Sequence, residues 1–336
     1  MAAKKKESPP QLHLFGPHPA PELSLERVRP LLSPEDAALA ERLPDWLRFG
    51  TSSWTFPGWA GIVYAGAPTQ KELVATGLAA YAANPLLRAV GIDRSHYAPL
   101  TSAELSGYAE GLPEGFLAIS KIWDELTTCV FPRHPRFGAR AGADNPLFLS
   151  ADRFLSDILP AYRESFAAFT GPFVFEIPPM PRDRLPAPTA FTARLDALLS
   201  RLPRNFRYAF ELRNHELLTP AYAEVLRAHG AAHVFNYWTA MPSLLEQMAV
   251  PGVLEAPFFV ARLMLPPFSR NDVLEAELAP FDKIVTPQPA MRDDVSLLVR
   301  RAAGRDTFVL VNNKAEGSSP LTVRALASKV VRELFV

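Results

Sequence analysis

Short apolar segments alternate with longer amphipathic segments along most of this chain, and this alternation constrains the fold more than any other feature. The apolar segments lie at Leu47–Ser53, Arg88–Asp93, Phe116–Lys121, Pro172–Ile177, Arg207–Leu212, Ala231–Asn236, Phe258–Met264 and Thr307–Asn312. Segments with helical periodicity lie between and after them, at Gln70–Ala83, Thr101–Glu110, Ala151–Phe169, Ala187–Arg201, Leu217–Ala228, Ser243–Met248, Gln288–Ala303 and Leu321–Leu334. Eight strands that are each followed by a crossover predict a closed (β/α)8 barrel of the TIM type.

An open, doubly wound sheet is the competing arrangement, and it normally shows a glycine-rich first turn. The first turn here reads Ser52-Ser53-Trp54, and neither a GxGxxG nor a GxxxxGK[ST] pattern occurs in the sequence. We therefore predict an α/β fold with a single barrel domain over residues 33–336, including a helix at Ser33–Leu43 in front of the first strand. Residues 1–32 are rich in lysine and proline and are predicted to form a disordered tail.

Composition limits the classes of function. The net charge is zero and the pI is about 7.1, which argues against a surface coated in basic charge for nucleic acid. A single cysteine, Cys129, excludes an internal disulfide and a multi-cysteine metal site, and a buried structural thiol is the ordinary reading of it. No apolar run approaches the length of a membrane span, and the N-terminal lysines are not followed by the apolar core of a secretory signal. A cytoplasmic protein is the default expectation.

Polar residues collect where the predicted strands end. In a barrel these ends surround one pocket, so three carboxylates, several fixed cations and several amides are expected to meet there. The residues concerned are Ser52, Ser53 and Trp54; Asp93, Ser95, His96 and Tyr97; Lys121 and Trp123; Glu176; Glu211, Arg213 and His215; Asn236; Arg262; and Asn312, Asn313 and Lys314.

Strand parity indicates which of these side chains face the barrel interior. Glu211 alternates with the small residue Ala209, and Arg262 alternates with Val260, so these charges are expected to share the lumen face. Glu211 and Arg213 could form a structural ion pair, but the recurrence of the same pattern on other strands favours a functional site. His233 lies mid-strand among apolar residues and is interpreted as a core histidine.

The chemistry expected of such a pocket is acid–base catalysis. Glu211 or Glu176 would serve as general base, and Lys121, Arg213 or Arg262 would stabilise a developing oxyanion. Together with the basic side chains of the long loop Asp124–Leu149, the cations favour an anionic substrate such as a phosphate, although that loop could equally be a solvated basic loop. The catalytic residues are therefore predicted to be Glu211, Lys121 and Glu176.

Other residues at the strand ends are predicted to bind substrate. Asn312 and Asn313 would orient it, and Trp54 and Tyr97 would stack on a ring. The complete predicted substrate-binding set is Arg213, Arg262, Asn312, Asn313, Trp54, Tyr97, Asp93 and Ser52. A divalent metal held by Asp93, His96, Glu176, Glu211 or His215 is possible chemistry but is not favoured, since no HExxH or HxH pair occurs; no cofactor is assigned.

The tail contains Gln11-Leu12-His13-Leu14-Phe15, which resembles the QL-x-LF pentapeptide by which bacterial DNA-processing proteins dock onto the replication sliding clamp. A flexible tail could offer Leu14 and Phe15 to an apolar groove, with Gln11 fixing the register; the predicted partner-binding residues are Gln11, Leu12, Leu14 and Phe15. The alternatives are that the segment folds back on the domain or that five letters match by chance.

A wider resemblance covers residues 47–326. Arg48-Phe49-Gly50-Thr51-Ser52-Ser53-Trp54, Phe175-Glu176-Ile177-Pro178-Pro179, Glu211-Leu212-Arg213 and Val311-Asn312-Asn313 resemble, in order and spacing, the motifs of the YecE-like family, domain of unknown function 72. The resemblance implies a TIM-type barrel and no activity. Three positions depart from the family pattern: Gly91 replaces a usual glutamate, Glu176 a usual glutamine, and Asn214 the family histidine, with His215 one step later.

The sequence thus predicts an enzyme, hydrolytic or isomerising, that acts on a small or nucleic-acid-derived anionic substrate. The alternative is a non-catalytic protein that associates with the sliding clamp and recognises a nucleotide or a DNA end.

Overall fold

The computed structural model describes residues 28–266, 269 and 271–334, and eight parallel strands form its centre. They are β1 (Leu47–Thr51), β2 (Ala89–Ile92), β3 (Leu117–Lys121), β4 (Thr170–Ile177), β5 (Tyr208–Leu212), β6 (Ala232–Tyr237), β7 (Phe259–Leu263) and β8 (Thr307–Val311). Each strand pairs with the next, and β8 pairs with β1 to close the barrel. The predicted TIM-type fold is confirmed, and the observed strands lie at the predicted apolar segments.

Helices surround the barrel and connect its strands. Two of them, Gln70–Ala82 and Ser102–Ala109, begin with capping boxes in which a threonine and a glutamate three residues later satisfy each other's backbone N–H groups. The remaining α-helices are Pro34–Glu41, Asp124–Thr127, Ala151–Arg153, Leu159–Ser165, Pro188–Leu199, Pro220–His229, Leu244–Met248, Asn271–Leu278, Pro289–Ala302 and Ser319–Leu334.

The segment predicted as one helix over Ala151–Phe169 is divided in the structure. A π-helical turn at Phe154–Ile158 separates Ala151–Arg153 from Leu159–Ser165. Pro160 lies in the first turn of the second piece, where its missing N–H removes a bond from the regular helical ladder. The helix therefore restarts at the proline rather than running through it.

Apolar side chains fill the barrel interior below the carboxyl ends of the strands. The buried interior cluster consists of Ala89, Ile119, Val174, Ala209, Ala232, Val234, Ala256, Phe258, Val260, Phe308 and Leu310. The opposite strand faces carry larger groups such as Phe175 and Phe210, which stack at 4.8 Å between ring centroids beneath the surrounding helices. The predicted parity of β5 and β7 is confirmed, because Ala209 and Val260 belong to the interior cluster, and Val174 shows the same arrangement on β4.

The folded region begins before Ser33. Arg29–Pro30 pairs antiparallel with Tyr64–Ala65, although residues 28–32 were assigned to the tail from sequence. The first helix, Pro34–Glu41, is held against the last one by Asp36, which accepts two hydrogen bonds from Arg324 at 2.6 and 2.9 Å. None of the helices within the described ranges is long and apolar enough to cross a membrane.

Candidate functional site

Six charged side chains meet at the carboxyl end of the barrel, and we call them the charge cluster. Four of them lie on the strands β3, β4, β5 and β7, and the other two directly follow β2 and β5. The members are Asp93, Lys121, Glu176, Glu211, Arg213 and Arg262.

Strand register brings the two glutamates together. Glu176 on β4 lies directly opposite Glu211 on β5, and each follows an interior residue by two positions. Two carboxylates side by side would repel each other, so the arrangement requires cations between them.

Arg262 supplies the deepest of these cations. Its Nη1 contacts Glu211 Oε2 and lies 2.7 Å from Glu176 Oε2, while its Nη2 lies 3.7 Å from Asp93 Oδ1. Burial alone would lower the pKa of Arg262, but the three carboxylates, Glu211 foremost, outweigh burial and raise it. Arg262 and Glu211 are 1% and 0% exposed and form the floor of the charge cluster.

Arg213 is held between the carboxylates and an aromatic ring. Its Nη2 contacts Glu211 Oε1 and lies 3.2 Å from Glu176 Oε2. Its guanidinium carbon lies 3.8 Å from the centre of the Trp238 ring, which is a cation–π contact. Its Nε and Nη1 atoms are buried and have no hydrogen-bond partner among the residues that the structure describes.

Glu176 receives three cations on a single oxygen. Arg262 Nη1, Lys121 Nζ and Arg213 Nη2 lie 2.7, 3.1 and 3.2 Å from its Oε2. Burial would raise the pKa of this carboxyl, but the cations, Lys121 first among them, hold it well below its usual range. The side chain is 16% exposed, so this ionised carboxylate faces the mouth of the barrel.

His96 borders the charge cluster as a neutral side chain. Burial, followed by the nearby charge of Lys121, lowers its pKa to about 4. Its Nδ1 lies 3.4 Å from the carbonyl oxygen of Ile122. The cluster itself contains three carboxylates and three cations, so its formal charges cancel.

The structure separates the predicted aromatic residues from the charge cluster. Trp54 is buried, donates from Nε1 to the Leu73 carbonyl at 3.1 Å, and meets the Tyr108 ring edge-on. It therefore packs between the barrel and a helix. Tyr97 is 62% exposed and packs edge-on against the His96 ring. The aromatic side chain in contact with the cluster is Trp238, which sequence reasoning missed although it has the same strand parity as Asn236.

The remaining predicted binding residues make local contacts. Ser52 is buried, with its Oγ 3.8 Å from the Met264 sulfur. Asn312 Oδ1 accepts from the backbone N–H of Lys314 at 3.0 Å. Asn313 Oδ1 accepts from the Trp59 indole at 3.1 Å and from the N–H and hydroxyl of Ser319 at 2.8 Å each. Both asparagines thus use an amide oxygen to shape the turn after β8.

Arg140, in the loop after β3, has its partners within that loop. Arg140 pairs with Glu125 at 2.5 Å and lies 4.5 Å above the Phe131 ring. Nearby, Arg184 pairs with Asp144 at 2.6 Å beside a cavity of about 340 Å³, whose lining includes Cys129 but no charge-cluster residue.

Other candidates from sequence are placed as follows. His233 is buried with both ring nitrogens in contact, 3.2 Å from the Tyr222 hydroxyl and 3.1 Å from Gln247 Oε1, which confirms it as a core histidine. Cys129 is buried, and burial raises the pKa of its thiol. Among the described residues, no group of three His, Cys, Asp or Glu side chains is arranged to hold a metal ion. The pentapeptide with Gln11, Leu12, Leu14 and Phe15 lies outside the described residues.

A closed parallel barrel with its ionisable side chains at the carboxyl ends of the strands defines the class: a TIM-type (β/α)8 protein. The chain belongs to the family described as Protein of unknown function DUF72, which it matches over residues 48–334. This family is also called YecE-like, so the resemblance found in the sequence is confirmed.

Solved structures of two family members show the same fold. A DUF72 family protein from Enterococcus faecalis V583 is 15% identical with a TM-score of 0.54, covering 85% of this chain and 95% of that one. Another from Thermotoga maritima MSB8 is 17% identical with a TM-score of 0.53, covering 86% and 99%. No curated protein matches the chain.

Proposed function

We propose that this protein is an enzyme that binds a small anionic substrate at the charge cluster and moves a proton through Glu176. The observation that carries the proposal is the convergence of Lys121, Arg213 and Arg262 on one carboxylate oxygen at the mouth of a barrel. Ionisable groups with strongly perturbed pKa values are typical of active sites, and TIM barrels carry their active sites at this end.

Anion binding follows from the accessible part of the charge cluster. Lys121 is 12% exposed and borders the solvent-facing side of Glu176. An incoming phosphate or carboxylate can take over the contact of Lys121 as a charge-assisted hydrogen bond. Arg262 stays with Glu211 on the floor, because both are shut off from solvent.

The same exchange would activate Glu176 as a base. In the free protein its neighbouring cations depress the pKa of this carboxyl, which makes it a weak base. When the substrate anion takes Lys121, one of those cations is neutralised and the proton affinity of Glu176 rises. Its Oε1 makes none of the three ion pairs, so Oε1 is the atom that accepts the substrate proton.

Glu211 has a different role in this proposal from the one expected of it from sequence. It is fully buried and contacts both Arg213 and Arg262, so it cannot reach a substrate without breaking the floor. We assign it the positioning of the two guanidinium groups. The accessible carboxylate that serves as base is Glu176, and the reaction classes it fits are isomerisation and hydrolysis.

Anion binding is tested by thermal denaturation with inorganic phosphate, phosphorylated sugars and small carboxylates. A ligand at a hundredfold its dissociation constant adds about 2.7 kcal/mol to the free energy of unfolding. We expect stabilisation of the wild type and loss of it in Lys121→Met. The matched control is Lys329→Met, which removes an ion-paired lysine from the outer helix Ser319–Leu334 and should behave as wild type. Equal stabilisation of the Lys121 variant would refute the assignment of the anion site.

Proton transfer is tested with the anion that stabilises the wild type most. The ligand is incubated with the protein in D₂O and followed by NMR for deuterium exchange at carbon and for new products. We expect exchange or turnover with wild type, and neither with Glu176→Gln, which keeps the shape of the side chain and still binds. Unchanged rates in Glu176→Gln would rule out the proposed base.

A further inference from the structure

We propose that the substrate carries a hydroxyl group beside its anionic group, with Asn236 accepting from the hydroxyl and Arg213 donating to the anion. This inference rests on the proposed function and specifies its substrate class: hydroxylated phosphates or hydroxylated carboxylates. It is based on buried hydrogen-bonding atoms of these two residues, which lie at the carboxyl ends of the adjacent strands β5 and β6 and have no partner among the residues that the structure describes.

The orientation of Asn236 is set by its surroundings. The residue is completely buried on β6, and its Nδ2 donates to the Leu212 carbonyl at 2.6 Å, which identifies the nitrogen end of the amide. Its backbone N–H and carbonyl are both engaged by the side chain of Gln247, at 3.1 and 2.8 Å. The amide cannot turn over without facing oxygen to oxygen at Leu212.

The backbone N–H, the backbone carbonyl and the Nδ2 of Asn236 are all hydrogen-bonded, but its amide oxygen is not bonded to any described residue. Oδ1 is buried and has no hydrogen-bond partner within the described part of the chain. Asn236 follows Val234 and Ala232 on the interior face of β6, so its side chain belongs to the lumen. A buried acceptor without a partner is unfavourable, and a ligand donor would remove that cost.

Arg213 presents the complementary atoms at the end of the neighbouring strand, β5. The bond from Asn236 to Leu212 ties the amide to the residue directly before Arg213. Nε and Nη1 of this guanidinium are buried donors that have no partner within the described ranges, while Nη2 is held by the glutamates. Trp238 covers one face of the guanidinium, so a ligand oxygen reaches these N–H groups from the edge.

Only certain ligand groups satisfy both residues. A ligand with only an anionic group would pair with Arg213, but it would place an acceptor oxygen against Asn236 Oδ1, which is also an acceptor. An ammonium group would suit Asn236 but would face the cation of Arg213. A hydroxyl adjacent to an anionic oxygen donates to Asn236 and lets the anion accept from Arg213, so each unpaired atom gains a partner.

Matched ligand pairs that differ by a hydroxyl test this inference on the wild-type protein. 2-Hydroxypropyl phosphate is compared with propyl phosphate, and lactate with propionate, by isothermal titration calorimetry. We expect the hydroxylated member of at least one pair to bind about tenfold or more tightly, as one recovered buried hydrogen bond would give. In Asn236→Leu, this preference should fall below about threefold while the affinity for the member without hydroxyl is kept.

The outcomes separate this inference from the proposed function. Equal binding of both members of each pair overturns the hydroxyl inference and leaves the anion site standing. No binding by any of the four anions overturns both. A preference that persists in Asn236→Leu would also overturn the inference, because the hydroxyl would then be recognised elsewhere.

Discussion

The contact between Arg262 and Glu211 offers the sharpest physical test of the charge cluster. Both side chains are shut off from solvent, so water cannot screen a charge left behind. Arg262→Met would leave three carboxylates facing two cations, and breaking a buried pair in this way costs about 3–5 kcal/mol of unfolding free energy. At roughly 2 °C per kcal/mol for a chain of this size, the melting temperature should fall by roughly 6–10 °C.

Removing both partners should cost far less than removing either one. The double variant Arg262→Met, Glu211→Leu leaves two carboxylates and two cations, so the remaining charges still balance. Replacing a buried pair by apolar groups of similar volume is often close to neutral, so we expect a loss within about 2 kcal/mol and a coupling energy of at least about 2 kcal/mol.

The assay is equilibrium urea denaturation of the two single variants and the double variant, with unchanged slopes required for comparison. The matched control is the exposed pair Arg201–Asp152, whose atoms lie 2.5 Å apart, and whose removal should change stability little. If the double variant is destabilised by the sum of the two single effects, Arg262 and Glu211 do not stabilise each other. That result would refute the buried ion pair as the floor of the charge cluster.

Three further predictions concern other parts of the chain. Burial lowers the pKa of His96 and of His233 from 6.5 to about 4, so the unfolded chain takes up protons before the folded one, and unfolding free energy should decrease as the pH falls from about 6.5 to 4. Gly317→Ala should destabilise by at least about 1 kcal/mol, because φ is +119° and a Cβ would lie 2.5 Å from the Lys283 carbonyl oxygen. Replacing Leu14 and Phe15 by alanine should abolish retention on a sliding clamp in a pull-down, if the pentapeptide is used.

Each of these three predictions has an outcome that would contradict it. Stability that stays flat between pH 6.5 and 4 would contradict the neutral histidines. Gly230→Ala is the control for the glycine, since its φ is +67° with nothing within 4 Å of a Cβ; equal losses would show that the close approach at Gly317 is unimportant. Absence of clamp retention for the wild-type chain would remove the clamp hypothesis altogether.

The fold was readable from sequence because its determinants are local. Each strand is a short apolar run that ends in polar or charged residues, and alternation along the strand separates the lumen face from the outer face. Val174 before Glu176 and Ala209 before Glu211 are enough to predict that both carboxylates point inward, and the structure places both there.

Pairing between charges could not be read in the same way, because it depends on distances across the barrel. Spacing along β5 suggests Glu211 and Arg213 as partners, and they do touch. Nothing in the sequence shows that Glu211 is sealed beneath Arg262 while Glu176 stays accessible. Trp54 illustrates the same limit, since its position after β1 suggested the pocket, yet its indole N–H is used by Leu73 on an outer helix.

Gly91 shows how the barrel distributes its carboxylates. The family resemblance implies a glutamate at this position, but here a Cβ would lie 2.9 Å from the Ser52 carbonyl oxygen and 3.1 Å from its Cα. Backbone atoms cannot give way as a flexible side chain can, so β1 and β2 lie too close for any side chain at this point. The carboxylate that the three cations hold belongs instead to Glu176 on β4, where the family pattern has glutamine. Because all eight strand ends surround one space, a carboxylate on β4 meets cations from β3, β5 and β7, while Gly91 on β2 contributes no side chain to the charge cluster.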